Sequence, residues 1–123
     1  PTFGIYLLNL TMQHLLDLGG LAEVEKINAK KASTLYSIID SSNGFYVGHA
    51  KKSSRSDMNV SFTIPKDHSL EPVFVEEALK EGMLWLKGHR HLGGIRASIY
   101  NAVSQSDVEK LGEFMREFAR KHG

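Results

Sequence analysis

Cysteine is absent from this chain of 123 residues. That excludes a disulfide framework and a thiolate metal site, and it leaves the redox compartment open. An excess of either charge is also missing: 15 Lys and Arg face 14 Asp and Glu, a formal net charge of +1. So even a balance offers no electrostatic footprint for nucleic acid or for a membrane surface. No apolar stretch reaches the roughly 18 residues needed to span a bilayer. The apolar opening, Ile5 to Met12, lacks the basic n-region and small-residue cleavage site of a signal peptide. There is no low-complexity segment and no internal repeat. A hydrophobic content of 41% and a charged content of 24% are ordinary for a globular protein. The length suits one domain with one core. The chain opens on Pro1 rather than methionine, which reads as an internal start: a fragment, or a processed or trimmed product.

What is present is clear periodicity. Leu8, Met12 and Leu15 recur at helical spacing with Ile5 and Leu16 near the same face, predicting a first helix that stops at Gly19-Gly20. Its apolar residues crowd more than one face, so it needs a partner. A second helix carries Leu21, Val24, Ile27, Leu35, Ile38 and Ile39 on its apolar side and ends in the turn cluster Asp40 to Gly44. The period then falls to two. Phe45-Tyr46-Val47 reads as a short strand. Met58, Val60, Phe62 and Ile64 alternate with Asn59, Ser61 and Thr63, a strand with one dry and one wet face that stops at Pro65. Phe74, Val75, Ala78 and Leu79 mark a third helix closed by Gly82. Met83-Leu84-Trp85-Leu86 is expected to be a buried strand with Trp85 in the core. After a break at Gly93-Gly94, Ile95, Ala97 and Ile99 alternate with Arg96, Ser98 and Tyr100. Ser106-Asp107-Val108-Glu109 has the form of a capping box opening the last helix. That helix has Val108, Leu111, Met115 and Phe118 as its core face, with three basic residues in its last turn. The order of elements predicts an α+β domain, an antiparallel or mixed sheet covered by helices.

The chemistry concentrates in Lys87-Gly88-His89-Arg90-His91-Leu92-Gly93-Gly94-Ile95-Arg96, read as a loop between two strands. Glycines let backbone approach a ligand closely. Arginine offers a planar fork matched to carboxylate or phosphate, and histidine adds a donor that can gain charge near neutral pH. Together they suit a small dianion, or a molecule with two anionic ends; a solvated basic surface loop is the competing reading. Arg96 shares its strand face with Ser98 and Tyr100, so strand geometry presents it rigidly; an ordinary exposed strand arginine paired with a carboxylate is the competing reading. His89 and His91 could share a side and touch a metal, but Arg90 lies between them and no further ligand is at hand. His14, His49, His68 and His122 show no evident partner and read as surface histidines. Lys51, Lys52 and Arg55 read as a solvated charge cluster.

The run Lys87-Gly88-His89-Arg90-x-x-Gly93-Gly94-Ile95-Arg96-Ala97-Ser98-Ile99-Tyr100-Asn101-Ala102 resembles the C-terminal signature of phosphoserine aminotransferases. The likeness continues through Arg55-Ser56-x-Met58-Asn59-Val60-x-Phe62, back to Pro1-Thr2-Phe3-Gly4-Ile5-Tyr6 and forward from Val108 to Phe118. His91-Leu92 departs slightly from the family pattern. The resemblance implies the small, substrate-binding domain of a fold-type-I aminotransferase over residues 1–123, with residues 1–18 a helix leading in from an N-terminal large domain.

It also implies a homodimeric, pyridoxal-phosphate-dependent enzyme of serine biosynthesis, cytoplasmic, or organellar in a plant. Such an enzyme moves an amino group from glutamate to 3-phosphohydroxypyruvate. His89 and Arg90 match the positions that hold the substrate phosphate or the distal carboxylate of glutamate. Arg96 matches the arginine that pairs with the α-carboxylate. The Schiff-base lysine and the other cofactor contacts belong to the large domain. This chain is therefore expected to carry no catalytic, cofactor-binding or metal-binding residue, and to be inactive alone. A stand-alone anion-binding or dimerisation module is the alternative, with neither nucleic acid nor membrane as partner.

Overall fold

Four helices and four strands follow one another along residues 1–123, all of which the computed structural model describes. In order they are α1 (Thr2–Asp17), α2 (Leu21–Ser41), β1 (Val47–Gly48), β2 (Asn59–Thr63), α3 (Leu70–Lys80), β3 (Lys87–His89), β4 (Gly93–Ser98) and α4 (Gln105–His122). The strands form one sheet in the order β1-β2-β4-β3. Every pairing is antiparallel, so the expected α+β class holds and the sheet is not mixed.

Helices cover a single face of this sheet. The alternation in β2 and β4 sends Val60, Phe62, Ile95 and Ala97 to one side. There they share a core with Leu35 and Ile39 of α2, Phe74 and Ala78 of α3, and Val108, Leu111, Met115 and Phe118 of α4. Its centre is aromatic. Tyr46, Phe62 and Phe74 meet edge to face with centroids 5.3 to 6.2 Å apart, and Phe118 stands 5.0 Å from Phe74. Full burial of such a ring stabilises the fold by about 1.5–3 kcal/mol. The Tyr46 hydroxyl donates to the Met115 carbonyl at 2.8 Å, which satisfies the one polar atom in the cluster. The opposite face, bearing Asn59, Ser61, Arg96 and Ser98, has no helix on it and stays partly or fully open.

Several expectations need correction. Phe45 and Tyr46 are core anchors that precede β1 rather than members of it. Leu21 and Ile27 are exposed, and the buried face of α2 instead takes in Asn28 and Lys31. Residues 83–86 form no strand. Leu86 alone reaches the core, while Trp85 is 89% exposed with φ at +64°. A left-handed residue breaks strand alternation and turns its side chain away from the core that the apolar run suggests. The capping box lies two residues earlier than Ser106: Ser104 Oγ accepts from Asp107 N–H at 3.1 Å, and the Asp107 carboxylate accepts from Ser104 N–H at 3.2 Å. Arg55 is no solvated cation; it chelates Asp40 and lies over the Tyr36 ring.

Candidate substrate-anion site

Arg96 stands on the open face because the residues beside it, Ile95 and Ala97, are both drawn into the core. Across the ladder it faces Ser61, and the next pair on that face is Asn59 with Ser98. Ser98 Oγ donates to Asn59 Oδ1 at 2.9 Å. The Arg96 N–H donates to the Leu86 carbonyl at 2.8 Å, so its backbone is held by the neighbouring segment as well as by β2. The result is a guanidinium carried on a strand with its backbone restrained from both sides.

The basic run is a hairpin rather than a loop. Lys87 pairs with Ile95 and His89 with Gly93, leaving Arg90, His91 and Leu92 as the turn. Gly93 and Gly94 thus open β4 instead of breaking the chain. Two glycines are sterically imposed. A Cβ on Gly88 would stand 2.0 Å from the Gly93 carbonyl oxygen. Gly94 has φ at +72°, and a Cβ there would lie 2.8 Å from both the Phe62 carbonyl oxygen and His49 Cε1. Close backbone approach, which the sequence suggests as a means of meeting a ligand, serves first to fold the hairpin onto itself and onto β2.

His89 Nδ1 accepts from the His91 N–H at 3.2 Å. That bond places the proton of a neutral His89 ring on Nε2, where it can be donated to an anion. His89 and Arg96 line one cavity of about 110 Å³ together with His49 and Ser61. At ~30 Å³ per water, this is room for a carboxylate-sized group and little more. His89 also lines a larger cleft of about 720 Å³ with Arg90, Lys87 and Glu71. The structure therefore brings His89 to each arginine, while Arg90 and Arg96 line different cavities. The His89 and His91 rings are 5.7 Å apart. No group of three His, Asp or Glu side chains converges anywhere in the chain, so the pair has no third metal ligand.

Three residues at this site carry no signal in the sequence. His49, read as an unpartnered surface histidine, stands against Gly94 and lines the Arg96 cavity. Ser61 joins it through the ladder; the His49 N–H donates to the Ser61 carbonyl at 3.1 Å. Glu71 accepts from the N–H of Gly94 at 3.2 Å and from that of Ile64 at 3.1 Å. His68 is likewise partnered, its Nδ1 lying 3.0 Å from Glu71 Oε1. Burial raises the Glu71 pKa, but hydrogen bonds from Thr63, His68 and Ile64 outweigh it and hold the carboxyl below its ordinary value. His122, too, is mostly buried, its side chain 21% exposed, and it packs on Phe118.

The family model for class-V aminotransferases matches residues 1–111. The chain belongs to this family. Phosphoserine aminotransferase of Campylobacter lari is 60% identical over 121 residues, which are 98% of this chain and 34% of that protein. Its counterpart in Bacillus subtilis is 53% identical over 122 residues, again 34% of its length. Among solved structures, phosphoserine aminotransferase from Bacillus circulans subsp. alkalophilus superposes with a TM-score of 0.96 at 47% identity, over all of this chain and 34% of that one. Pyridoxal-phosphate-bound phosphoserine aminotransferase from Trichomonas vaginalis gives a TM-score of 0.86 at 38% identity, over 94% of this chain and 33% of that one. The chain thus spans about a third of the length of the aminotransferases it matches. Its helices and antiparallel sheet are those of phosphoserine aminotransferase structures. None of its helices is long and apolar enough to cross a membrane.

Proposed function

We propose that this chain is the substrate-gripping part of a phosphoserine aminotransferase, an enzyme that moves an amino group from glutamate to 3-phosphohydroxypyruvate. The observation that carries the proposal is the shared position of His89 between Arg96 in one cavity and Arg90 in the other. Both substrates carry an α-carboxylate and a second anionic group at the far end. Arg96 holds the α-carboxylate, for which its small cavity has the right size. His89 and Arg90 hold the phosphate of one substrate or the distal carboxylate of the other, with charge-assisted hydrogen bonds that a planar guanidinium can make in pairs.

Pyridoxal phosphate, in the complete enzyme, supplies the electron sink that lets the amino group change partners. The residues of this chain do not fit the anchor such a cofactor needs. No lysine lines the cavity of Arg96. The one fully buried lysine, Lys31, donates to the carbonyls of Ile99, Tyr100 and Val103. Lys87 lines the neighbouring cleft of His89 and Arg90; on this reading it is not the cofactor lysine, which belongs to the part of such an enzyme outside these residues, and this chain alone is inactive. That remainder, including the N-terminal large domain, and a second subunit are the proposed partners. Helix α1, with no buried residue of its own, supports a missing surface against which residues 1–18 pack.

The test is amino transfer from glutamate to 3-phosphohydroxypyruvate by the complete polypeptide that contains this chain. Transfer that disappears in Arg96→Ala supports the reading; a complete, folded wild-type protein that lacks the activity overturns it.

A further inference from the structure

Glu71 sits in the first turn of α3, yet its carboxylate does not cap that helix. It reaches to the sheet instead. Oε1 accepts the Ile64 N–H at 3.1 Å and the Thr63 hydroxyl, and lies 3.0 Å from His68 Nδ1. Oε2 accepts the Gly94 N–H at 3.2 Å. The side chain is only 14% exposed. These contacts fall where β2 and β4 part company. Their last ladder pair is Phe62 with Ile95, and the next amide of β4, that of Gly94, goes to Glu71. Gly94, like Gly93 before it, has its backbone in the left-handed region, and the two together form a kink. On one side of that kink lies the hairpin bearing His89 and Arg90; on the other, two residues on, lies Arg96.

We infer that Glu71 is a positioning residue for the substrate: its carboxylate clamps the Gly94 kink and so sets the His89–Arg90 hairpin relative to Arg96. The physical need is clear. Two anion grips carried on either side of a glycine hinge can hold a rigid substrate only if the hinge keeps one geometry. Gly94 has no side chain with which to fix itself, and the ladder does not take its N–H. A charged acceptor does both, because a hydrogen bond to a carboxylate is stronger than one to a neutral carbonyl. Glu71 lines the cleft of Arg90, but a carboxylate repels an anionic substrate rather than holding it; its part is to act through Gly94.

The substrate readout rests on the proposed function, so the test needs a second readout that does not. In the complete polypeptide, Glu71→Gln keeps an oxygen for Ile64 and Thr63 but turns an NH2 group against the Gly94 N–H, donor to donor. Amide hydrogen exchange over residues 87–96 should then accelerate by about tenfold, the scale of one lost charge-assisted hydrogen bond, while α2 and α4 exchange as in the wild type. KM for both glutamate and 3-phosphohydroxypyruvate should rise by about tenfold with kcat changed less than about twofold, because grip is lost and not chemistry. Glu71→Asp, one methylene shorter, keeps the charge but cannot span Ile64 and Gly94 together. It should shift exchange and KM in the same direction, and it serves where the glutamine variant fails to accumulate. Wild-type exchange over 87–96, or faster exchange spread through α2 and α4, overturns the inference whether or not the protein transaminates. Wild-type KM values beside a locally loosened hairpin overturn the link from Glu71 to substrate and leave the transaminase reading intact.

Discussion

Arg55 holds Asp40 through both carboxylate oxygens, Nη1 to Oδ2 at 2.9 Å and Nη2 to Oδ1 at 2.6 Å, while its guanidinium lies 4.4 Å from the centre of the Tyr36 ring. The pair ties the end of α2 to the segment that leads into β2. Lys52 adds a second cation to Asp40 at 3.2 Å. Chiefly through the Arg55 hydrogen bonds, the Asp40 carboxyl is held well below the usual carboxylate range. A depressed folded-state pKa contributes stability that is present above the unfolded value, near 3.9, and is lost as pH falls through the folded one. In the complete polypeptide, Asp40→Asn should therefore flatten the acid limb of the stability profile below about pH 4. Equilibrium unfolding at a series of pH values checks this, and an unchanged acid limb would contradict it.

Lys31 offers a sharper test of buried polarity. It is fully buried, and its Nζ lies 3.4, 2.9 and 3.0 Å from the carbonyls of Ile99, Tyr100 and Val103. Burial lowers its pKa, so the folded chain binds this proton less tightly than the unfolded chain does. Lys31→Met fills similar space but leaves those carbonyls without their donor. A loss of about 1–3 kcal/mol is expected in urea unfolding of the complete protein. Lys30→Met, at an exposed position one residue away, should stay within about 0.5 kcal/mol of wild type. Equal effects in the two variants would show that the carbonyls find water instead.

The assignment of substrate ends predicts distinct kinetic signatures. Arg96→Lys replaces a fork with a point charge and should weaken glutamate and 3-phosphohydroxypyruvate alike, since both carry an α-carboxylate. Arg90→Ala should be harsher on the phosphorylated substrate, because a dianion depends more on local positive charge. Losing such a contact costs about 2–5 kcal/mol where it leaves the partner charge buried. Values of kcat/KM for both half-reactions of each variant decide the matter. Harm to one substrate alone in Arg96→Lys, or a spared phosphorylated substrate in Arg90→Ala, reverses the assignment.

Helix α1 carries a conspicuous apolar surface, with Phe3, Ile5, Tyr6, Leu8 and Leu16 all more than half exposed. Expressed alone, the 123 residues should bind a hydrophobic dye or self-associate, and the α1 amides should exchange faster than those of α4. A monodisperse monomer with no dye binding and a protected first helix would show that α1 needs no partner.

Local periodicity was enough to read the helices, β2, β4 and the wet-face placement of Arg96. Each of these depends on neighbours within a few residues, and the buried Ile95 and Ala97 settle the side on which Arg96 must emerge. The Met83–Leu86 run shows where that reading fails. Its apolar composition says only that burial is available, and one left-handed residue at Trp85 spoils the alternation. Only the tertiary structure could decide which distant groups meet. Lys31 and its carbonyls are 68 to 72 residues apart in the chain, and Glu71 and Gly94 are 23 apart. His49 reaches Gly94 only because β1 and β4 flank β2 in one register. Register is a relation between segments, set by how their buried faces pack together, and no local pattern in either segment records it.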